Sequence, residues 1–176
     1  SYVEIGKTTN STASFIGMNA GMIGGGHMLG VDSPVSNTNI SAKQCNVAAG
    51  GHISGMEQNS VNVAAAAIIG YMNNAVDITV NTCEINSDAH ISNLDMVGGL
   101  NGAVIIFGTT GMCGDITVHD CTMTATDSIT DSGILGGLNG RDGTCGDITV
   151  HNCKMTATTS IEDSCMLVGG NGTNFL

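Results

Sequence analysis

Cysteine is the residue type with which this chain could do most chemistry, as a thiol, a disulfide or a metal ligand. The sequence has seven cysteines among 176 residues. Six of them recur at equivalent places in similar stretches: Cys45, Cys83, Cys121 and Cys153 form one series, and Cys113 and Cys145 form a second, shorter one. Zinc binding is not expected, because there is no Cys-x-x-Cys pair and the cysteine–histidine spacings differ from those of zinc sites.

The first series predicts cysteines that point into a protein core. Apolar or small residues follow each of these cysteines at every second position, as Met123 and Ala125 follow Cys121. Residues that alternate in this way share one face of a strand. Neighbouring strands lie about 4.8 Å apart, a separation that a disulfide can span. A structural cysteine ladder could therefore hold disulfides between strands or buried thiols that pack as small apolar groups.

Aspartate and histidine recur in the same way. Asp77, Asp115 and Asp147 hold one equivalent position, and His119 and His151 hold another. Stacked carboxylates repel one another unless a cation or a hydrogen bond neutralises them. A bound calcium ion could neutralise the carboxylates. Alternatively, the carboxylates could accept hydrogen bonds from backbone amides in the turn, and this capping role is the one we expect. The two imidazoles could share a metal ion, but the sequence offers no clear third ligand, so we expect an exposed corner.

Threonine supplies a candidate binding surface. Two copies of the pattern carry threonines at alternating positions: Thr122, Thr124, Thr126, Thr156 and Thr158. These side chains must face outward if Cys121 and Cys153 face inward. Outward threonine arrays on β-solenoids resemble the ice-binding faces of some antifreeze proteins. The preceding copy has Glu84 and Asn86 at the same places, so we expect a solvated polar strand face, on which threonine is favoured anyway.

All these residues belong to one repeated unit. Residues 113–140 and 145–172 are two close copies of it, and weaker copies lie upstream. Short alternating runs that recur with Gly-Asn turns are typical of a solenoid. We predict a single all-β domain over 1–176, a parallel β-solenoid (β-helix) of about four coils with a period of about 32–38 residues and three short strands per coil. Its predicted parts are an irregular N-terminal coil or cap at 1–35 and repeats at 36–74, 75–112, 113–144 and 145–176.

Patterns within one copy predict how a coil turns. The apolar parity changes at His119–Asp120, which indicates a corner between two strands. A third strand is predicted through Ile134–Leu135, before the turn sequence Gly-Gly-Leu-Asn-Gly. The run Val61–Ile69 could be a helix or a buried strand, and its place between strand-like repeats favours the strand. We expect Ala103–Gly111 to pack over an edge or a face of a coil.

The run GGLNG followed by GDITVHDCTMTAT, and again by GDITVHNCKMTAT, is similar to the GLUG-type repeat of large surface proteins. The resemblance covers roughly residues 68–172. It differs at Met123 and Met155, which stand where the family usually has tyrosine. The resemblance implies a right-handed parallel β-solenoid that serves as a stalk or an adhesive module, and it implies no catalytic residues.

Composition narrows the functional classes. The net charge is −11 with four Lys plus Arg, so binding of nucleic acid through phosphate contacts is not expected. No apolar run reaches the roughly 18–20 residues that span a bilayer, so membrane insertion is not expected. The chain begins at Ser1 without Met or a signal peptide, as a processed mature protein or a trimmed fragment would. A single arginine and five aromatic residues make an enzyme of the pectinolytic β-helix kind improbable, and we expect no cofactor except calcium at the aspartates.

Together these features predict a structural or adhesive extracellular module, at the cell surface or outside the cell. Its expected partners are copies of itself or other surface proteins, because the open ends of a solenoid must be capped or must pair. The alternative is an ice-binding protein that uses its outward threonine face.

Overall fold

The computed structural model describes residues 2–5, 15–18, 39–58, 61–63, 65–69, 77–99, 101, 112–137, 139–140 and 144–167. These residues form strands, turns and bends, and no helix occurs among them. Nearly all strand pairs are parallel. The predicted all-β parallel solenoid of about four coils is therefore confirmed.

The strands fall into a leading pair and four coils. The leading pair is β1 (Tyr2–Ile5) and β2 (Phe15–Met18). The first coil has β3 (Ile40–Lys43), β4 (Asn46–Ala49), β5 (Ile53–Gln58), β6 (Val61–Val63) and β7 (Ala65–Ile69). The second has β8 (Ile78–Asn81), β9 (Glu84–Ser87), β10 (Ile91–Ser92) and β11 (Leu94–Val97). The third has β12 (Met112–Cys113), β13 (Ile116–His119), β14 (Thr122–Ala125), β15 (Ser128–Thr130) and β16 (Gly133–Leu135). The fourth has β17 (Thr144–Cys145), β18 (Ile148–His151), β19 (Lys154–Ala157), β20 (Ser160–Glu162) and β21 (Cys165–Leu167).

Equivalent strands stack into four long sheets. In the order in which the chain visits them, sheet 1 is β3-β8-β13-β18, sheet 2 is β1-β4-β9-β14-β19, sheet 3 is β2-β5-β10-β15-β20 and sheet 4 is β7-β11-β16-β21. A further two-stranded sheet pairs β12 with β17. The pairing follows the sequence repeat, since Ile40, Ile78, Ile116 and Ile148 are register partners in turn along sheet 1.

Each coil has at least four strands, one more than the sequence predicts. The missed strand is the one in sheet 3, which is β15 in the third coil. A corner at Asp131 separates it from β16, because this residue has a φ of 46°. The run from Ser128 to Leu135 is therefore two short strands on different sheets, and neither is long enough to show a clear period of two.

Left-handed residues form the corners between sheets. The first corner, between sheets 1 and 2, has positive φ at Gln44, Thr82, Asp120 and Asn152. The second corner, between sheets 3 and 4, has positive φ at Asn93, Asp131 and Asp163. Asn and Asp adopt this conformation more readily than other residues with a side chain. The corner predicted at His119–Asp120 is confirmed.

The core runs along the middle of the stack. In β13 and β14 apolar residues of alternate parity point into it, whereas β11 and β16 of sheet 4 are buried at every position. The largest fully buried side chains are mostly isoleucines: Ile53, Ile68, Ile69, Ile78, Ile85, Ile91, Ile116, Ile129 and Ile134. Burial of such side chains is the main favourable contribution to folding. Within the run Val61–Ile69, strands β6 and β7 form as expected, although β6 pairs with β5 in the antiparallel sense. Ala67, Ile68 and Ile69 of β7 are buried in the core. The segment Ala103–Gly111 and most of the predicted cap at 1–35 lie outside the described residues.

The Gly-Gly-Leu-Asn-Gly turn allows neighbouring coils to approach closely. A Cβ atom on Gly99 would lie 2.1 Å from the carbonyl oxygen of Gly137, so no larger residue fits there. Asn101 and Asn139 are fully buried in successive turns. The side-chain amide of Asn101 donates to the Asn139 side-chain oxygen at 2.8 Å. Glycine therefore provides the space, and asparagine links one turn to the next.

Candidate functional site: the corner ladders and the open fourth coil

The predicted cysteine ladder stands at the first corner. Each of Cys45, Cys83, Cys121 and Cys153 directly follows a left-handed residue. The Sγ of Cys121 accepts the backbone N–H of Cys83 at 3.4 Å, and its thiol donates to the His119 carbonyl at 3.1 Å. The Cys83 sulfur makes the equivalent contacts, with the Cys45 N–H at 3.4 Å and the Asn81 carbonyl at 3.5 Å. Every rung thus connects one coil to the next.

All seven cysteines carry thiols in the structure, so the ladder is held by hydrogen bonds. A side-chain hydrogen bond with Cys121 lowers the pKa of Cys153 to about 7, and the side-chain hydrogen bond between Cys121 and Cys83 lowers the pKa of Cys83 to about 6. The hydrogen bonds of Cys121 with Cys153 and Cys83 raise its own pKa. Cys121 therefore keeps its proton, while its two neighbours in the ladder, Cys83 and Cys153, are the members that ionise near neutral pH.

Serine plays the same part at the second corner, and sequence reasoning missed it. Ser132 and Ser164 directly follow the left-handed Asp131 and Asp163. The Ser132 Oγ accepts the Leu94 N–H at 3.2 Å and donates to the Thr130 carbonyl at 2.7 Å. The Ser164 Oγ accepts the Ser132 N–H at 3.1 Å. The recurrence of Asp-Ser at these positions is the sequence signal that could have revealed this second ladder.

The predicted aspartate row hydrogen-bonds to backbone amides. The Asp77 carboxylate accepts the Asp115 N–H at 2.9 Å, and the Asp115 carboxylate accepts the Asp147 N–H at 2.9 Å. These bonds fit the capping role more closely than the calcium role, because each carboxylate is directed at the next coil. No cluster of three or more His, Cys, Asp or Glu side chains arranged for a metal ion occurs within the described ranges.

The predicted histidine pair forms a parallel stack. The rings of His119 and His151 have centroids 5.1 Å apart and planes that differ by 3°. The Nδ1 of His119 lies 2.9 Å from Asp120 Oδ2, and the Asn152 amide donates to the other oxygen of Asp120. The hydrogen bond with His119, followed by that with Asn152, lowers the pKa of Asp120. The two imidazoles therefore contact each other and the corner, and the described residues provide no group of three that could hold a metal ion there.

A second histidine stack escaped sequence reasoning. His52 and His90 have ring centroids 4.9 Å apart and planes that differ by 7°. The Nδ1 of His90 lies 2.8 Å from Ser128 Oγ in the next coil, and its Nε2 lies 3.5 Å from Asp127 Oδ2. The two histidines stand at equivalent positions of successive repeats, so alignment of the copies could have found them.

The predicted threonine surface is uneven. Thr122 is in register with Glu84 on one side and Lys154 on the other. Thr124 and Thr156 are register partners, but Asn86 follows in the second coil. Thr126 and Thr158 lie just past the ends of β14 and β19. A more regular hydroxyl row runs along sheet 1, where the register aligns Ser41, Thr79, Thr117 and Thr149.

The fourth coil leaves part of the core uncovered. Ile161 is 44% exposed and Leu167 is 41% exposed, whereas their register partners Ile129 and Leu135 in the third coil are fully buried. Met155 and other inward residues of this coil are only partly buried. Strands β18 to β21 each have one neighbour among the described strands. Among the described strands, the fourth coil is therefore an outermost apolar layer whose strands are paired on one side.

Comparisons with protein-family models, with curated proteins and with solved structures find no match for this chain. Within the described part of the chain, no helix has the length and apolar character needed to cross a membrane.

Proposed function

We propose that this chain is a structural and adhesive β-solenoid module of an extracellular surface fibre, and that it associates with copies of itself through its fourth coil. The observation that supports this proposal is the exposed apolar layer of that coil. Ile161 and Leu167 continue rows that are fully buried one coil earlier. Burial of these side chains under a further coil would be favourable at about 25 cal/mol per Å² of apolar area.

A second copy is the partner that fits this edge best. The strand edges of the fourth coil present backbone N–H and C=O groups in the spacing of a parallel sheet, and such edges recruit further strands. A coil of the same repeat carries apolar residues at matching positions. Association of one end with a different end is heterologous, so it extends into a filament unless a rotation closes it into a ring.

The proposal is tested by sedimentation velocity over a range of protein concentrations. The unmodified chain is expected to form dimers and larger species as concentration rises. The double variant Ile161→Lys and Leu167→Lys is expected to remain monomeric, because it would place two charges in the apolar contact. Thr79→Lys, on the exposed outer face of sheet 1 in the second coil, is the matched control and should assemble normally. A strict monomer at every concentration would refute self-association.

The extracellular location is the second part of the proposal. Intact cells of the native source, treated with a protease that does not enter them, should lose the protein while an internal marker survives. Survival of the protein in intact cells, with loss only after lysis, would contradict an extracellular location.

The ice-binding alternative draws on one observation, the register of Thr124 with Thr156. The neighbouring row argues against it, because Glu84, Thr122 and Lys154 are in turn negatively charged, neutral and positively charged. Measurement of thermal hysteresis for the unmodified chain and for Thr124→Tyr separates the two functions. Hysteresis that disappears in the variant would favour ice binding, and its absence from both would exclude it.

A further inference from the structure

We propose that Cys113 and Cys145 form a disulfide-forming pair that ties the third coil covalently to the fourth. The two residues are direct register partners in the short parallel pair β12 and β17. Paired parallel strands lie about 4.8 Å apart, within the Cα separation of about 4.4–6.8 Å that disulfides use. The pair is separate from the corner ladder, and the inference does not depend on self-association.

The surroundings favour this pair over the corner cysteines. At the corner, the sulfur of Cys121 is fully buried and already engages the Cys83 N–H and the His119 carbonyl. Cys113 is buried, and Cys145, like Cys153 at the corner, is partly exposed in the fourth coil, where a soluble disulfide can reach it. The difference is that the two hydrogen bonds of the Cys121 sulfur would have to break before it reacts. The weak contact of the Cys145 thiol with the Gly114 carbonyl, at 3.8 Å, presents little obstacle to reaction.

The protonation of the two thiols assigns their roles. The hydrogen bond between them lowers the pKa of Cys145 and raises that of Cys113. The thiolate is the nucleophile in disulfide exchange, so Cys145 attacks first. Cys113 holds its proton until the second step.

With glutathione disulfide as the oxidant, the reaction balances in two exchanges. The Cys145 thiolate attacks one sulfur of glutathione disulfide, which forms a mixed disulfide and releases one glutathione thiolate. Cys113 then loses its proton, and its sulfur attacks the sulfur of Cys145. The second glutathione thiolate leaves and takes up a proton. Two protein thiols are oxidised to one disulfide, and one glutathione disulfide is reduced to two glutathione molecules.

The test is to incubate the full chain in a buffer of reduced and oxidised glutathione, alkylate the remaining thiols and identify linked peptides by mass spectrometry without reduction. The expected result is a loss of two alkylated sites and one linked pair, Cys113 with Cys145. The midpoint of thermal unfolding should rise by about 10 °C over the reduced protein, because a cross-link restricts the unfolded chain.

The variants separate this pair from every other. Cys113→Ser and Cys145→Ser should each abolish both the linked peptide and the rise in unfolding temperature. Cys165→Ser removes the exposed thiol of β21 and should leave both unchanged. Seven alkylated cysteines after oxidation of the unmodified chain would overturn the proposal. A linked pair drawn from the corner ladder, with Cys113 and Cys145 both alkylated, would overturn it equally.

Discussion

The first and second corners of the coil share the left-handed backbone conformation but use different side-chain atoms, a sulfur at the first and a hydroxyl oxygen at the second. At the first corner a left-handed residue precedes a cysteine, and at the second a left-handed residue precedes a serine. Cys121 and Ser132 each accept the N–H of the preceding coil and donate to the carbonyl two residues upstream. The cysteines of the first corner are therefore explained by their hydrogen bonds, before any redox chemistry.

The difference lies in how far each ladder extends. The cysteine occurs in all four coils, whereas the serine occurs only in the third and fourth. In the second coil Leu94 occupies the serine position. Its backbone N–H donates to the Ser132 hydroxyl, but its side chain has no oxygen that could accept a hydrogen bond from the first coil. Sulfur combines apolar packing with weak hydrogen bonding. The cysteine rung therefore recurs in every coil at an inward position beside polar corner residues, while the serine position is held by leucine in the second coil.

The largest expected effect comes from removal of the cysteine rung. Cys121→Ala should lower the free energy of unfolding by about 2–3 kcal/mol, because it leaves a small cavity and an unpaired Cys83 N–H. Cys121→Ser should stay within about 1 kcal/mol of the unmodified chain, since its hydroxyl can make both hydrogen bonds. Urea unfolding measures both. A serine variant as unstable as the alanine variant would mean that the sulfur acts by packing alone.

Removal of the serine rung should have the next largest effect. Ser132→Ala should cost about 1–2 kcal/mol, because the buried Leu94 N–H loses its acceptor. Ser164→Ala is the matched control in the half-exposed fourth coil, where water can replace the hydroxyl, and it should cost less than half as much. Equal losses for the two variants would contradict the assignment.

The left-handed residues should respond in opposite directions at the two corners. Thr82 holds a φ of 54° and Asn93 holds a φ of 50°. A β-branched residue is strained in this region, whereas asparagine adopts it readily. Thr82→Asn should therefore raise the free energy of unfolding by about 0.5–1 kcal/mol, and Asn93→Thr should lower it by a similar amount. A destabilised Thr82→Asn would show that the bond from Thr82 Oγ1 to Asn81 Oδ1, at 2.5 Å, outweighs the strain.

The smallest expected effect is a pH dependence at the first corner. Hydrogen bonds from His119 and Asn152 lower the pKa of Asp120 below its ordinary value of 3.8. The carboxylate therefore adds stability above that value, and this contribution is lost as the pH falls through the lowered pKa. Unfolding temperatures from pH 6 down to pH 2 should show an advantage over Asp120→Asn that shrinks with acid. Asp131→Asn at the second corner is the control, and an acid-independent advantage would refute the assignment.

The sequence predicted the features that depend on a period of two within the chain. The parity change at His119–Asp120 revealed the first corner, and the run after Cys121 revealed an inward strand. The strand Ser128–Thr130 was missed, because three residues are too few to show alternation. The hydrogen-bonding role of the cysteines could not be predicted either. Each partner lies a whole coil away, and only the left-handed corner brings its N–H to the sulfur.

The stacking of strands also decides how the molecule would carry a mechanical load. Hydrogen bonds between neighbouring coils run along the stacking direction, perpendicular to the strands. A pull along the solenoid would therefore stretch the bonds of all four sheets between two coils at once, whereas a pull on a single strand end would break them one after another. Resistance should thus be high along the stack and low for peeling from the fourth coil, where each strand is paired on one side only among the described strands.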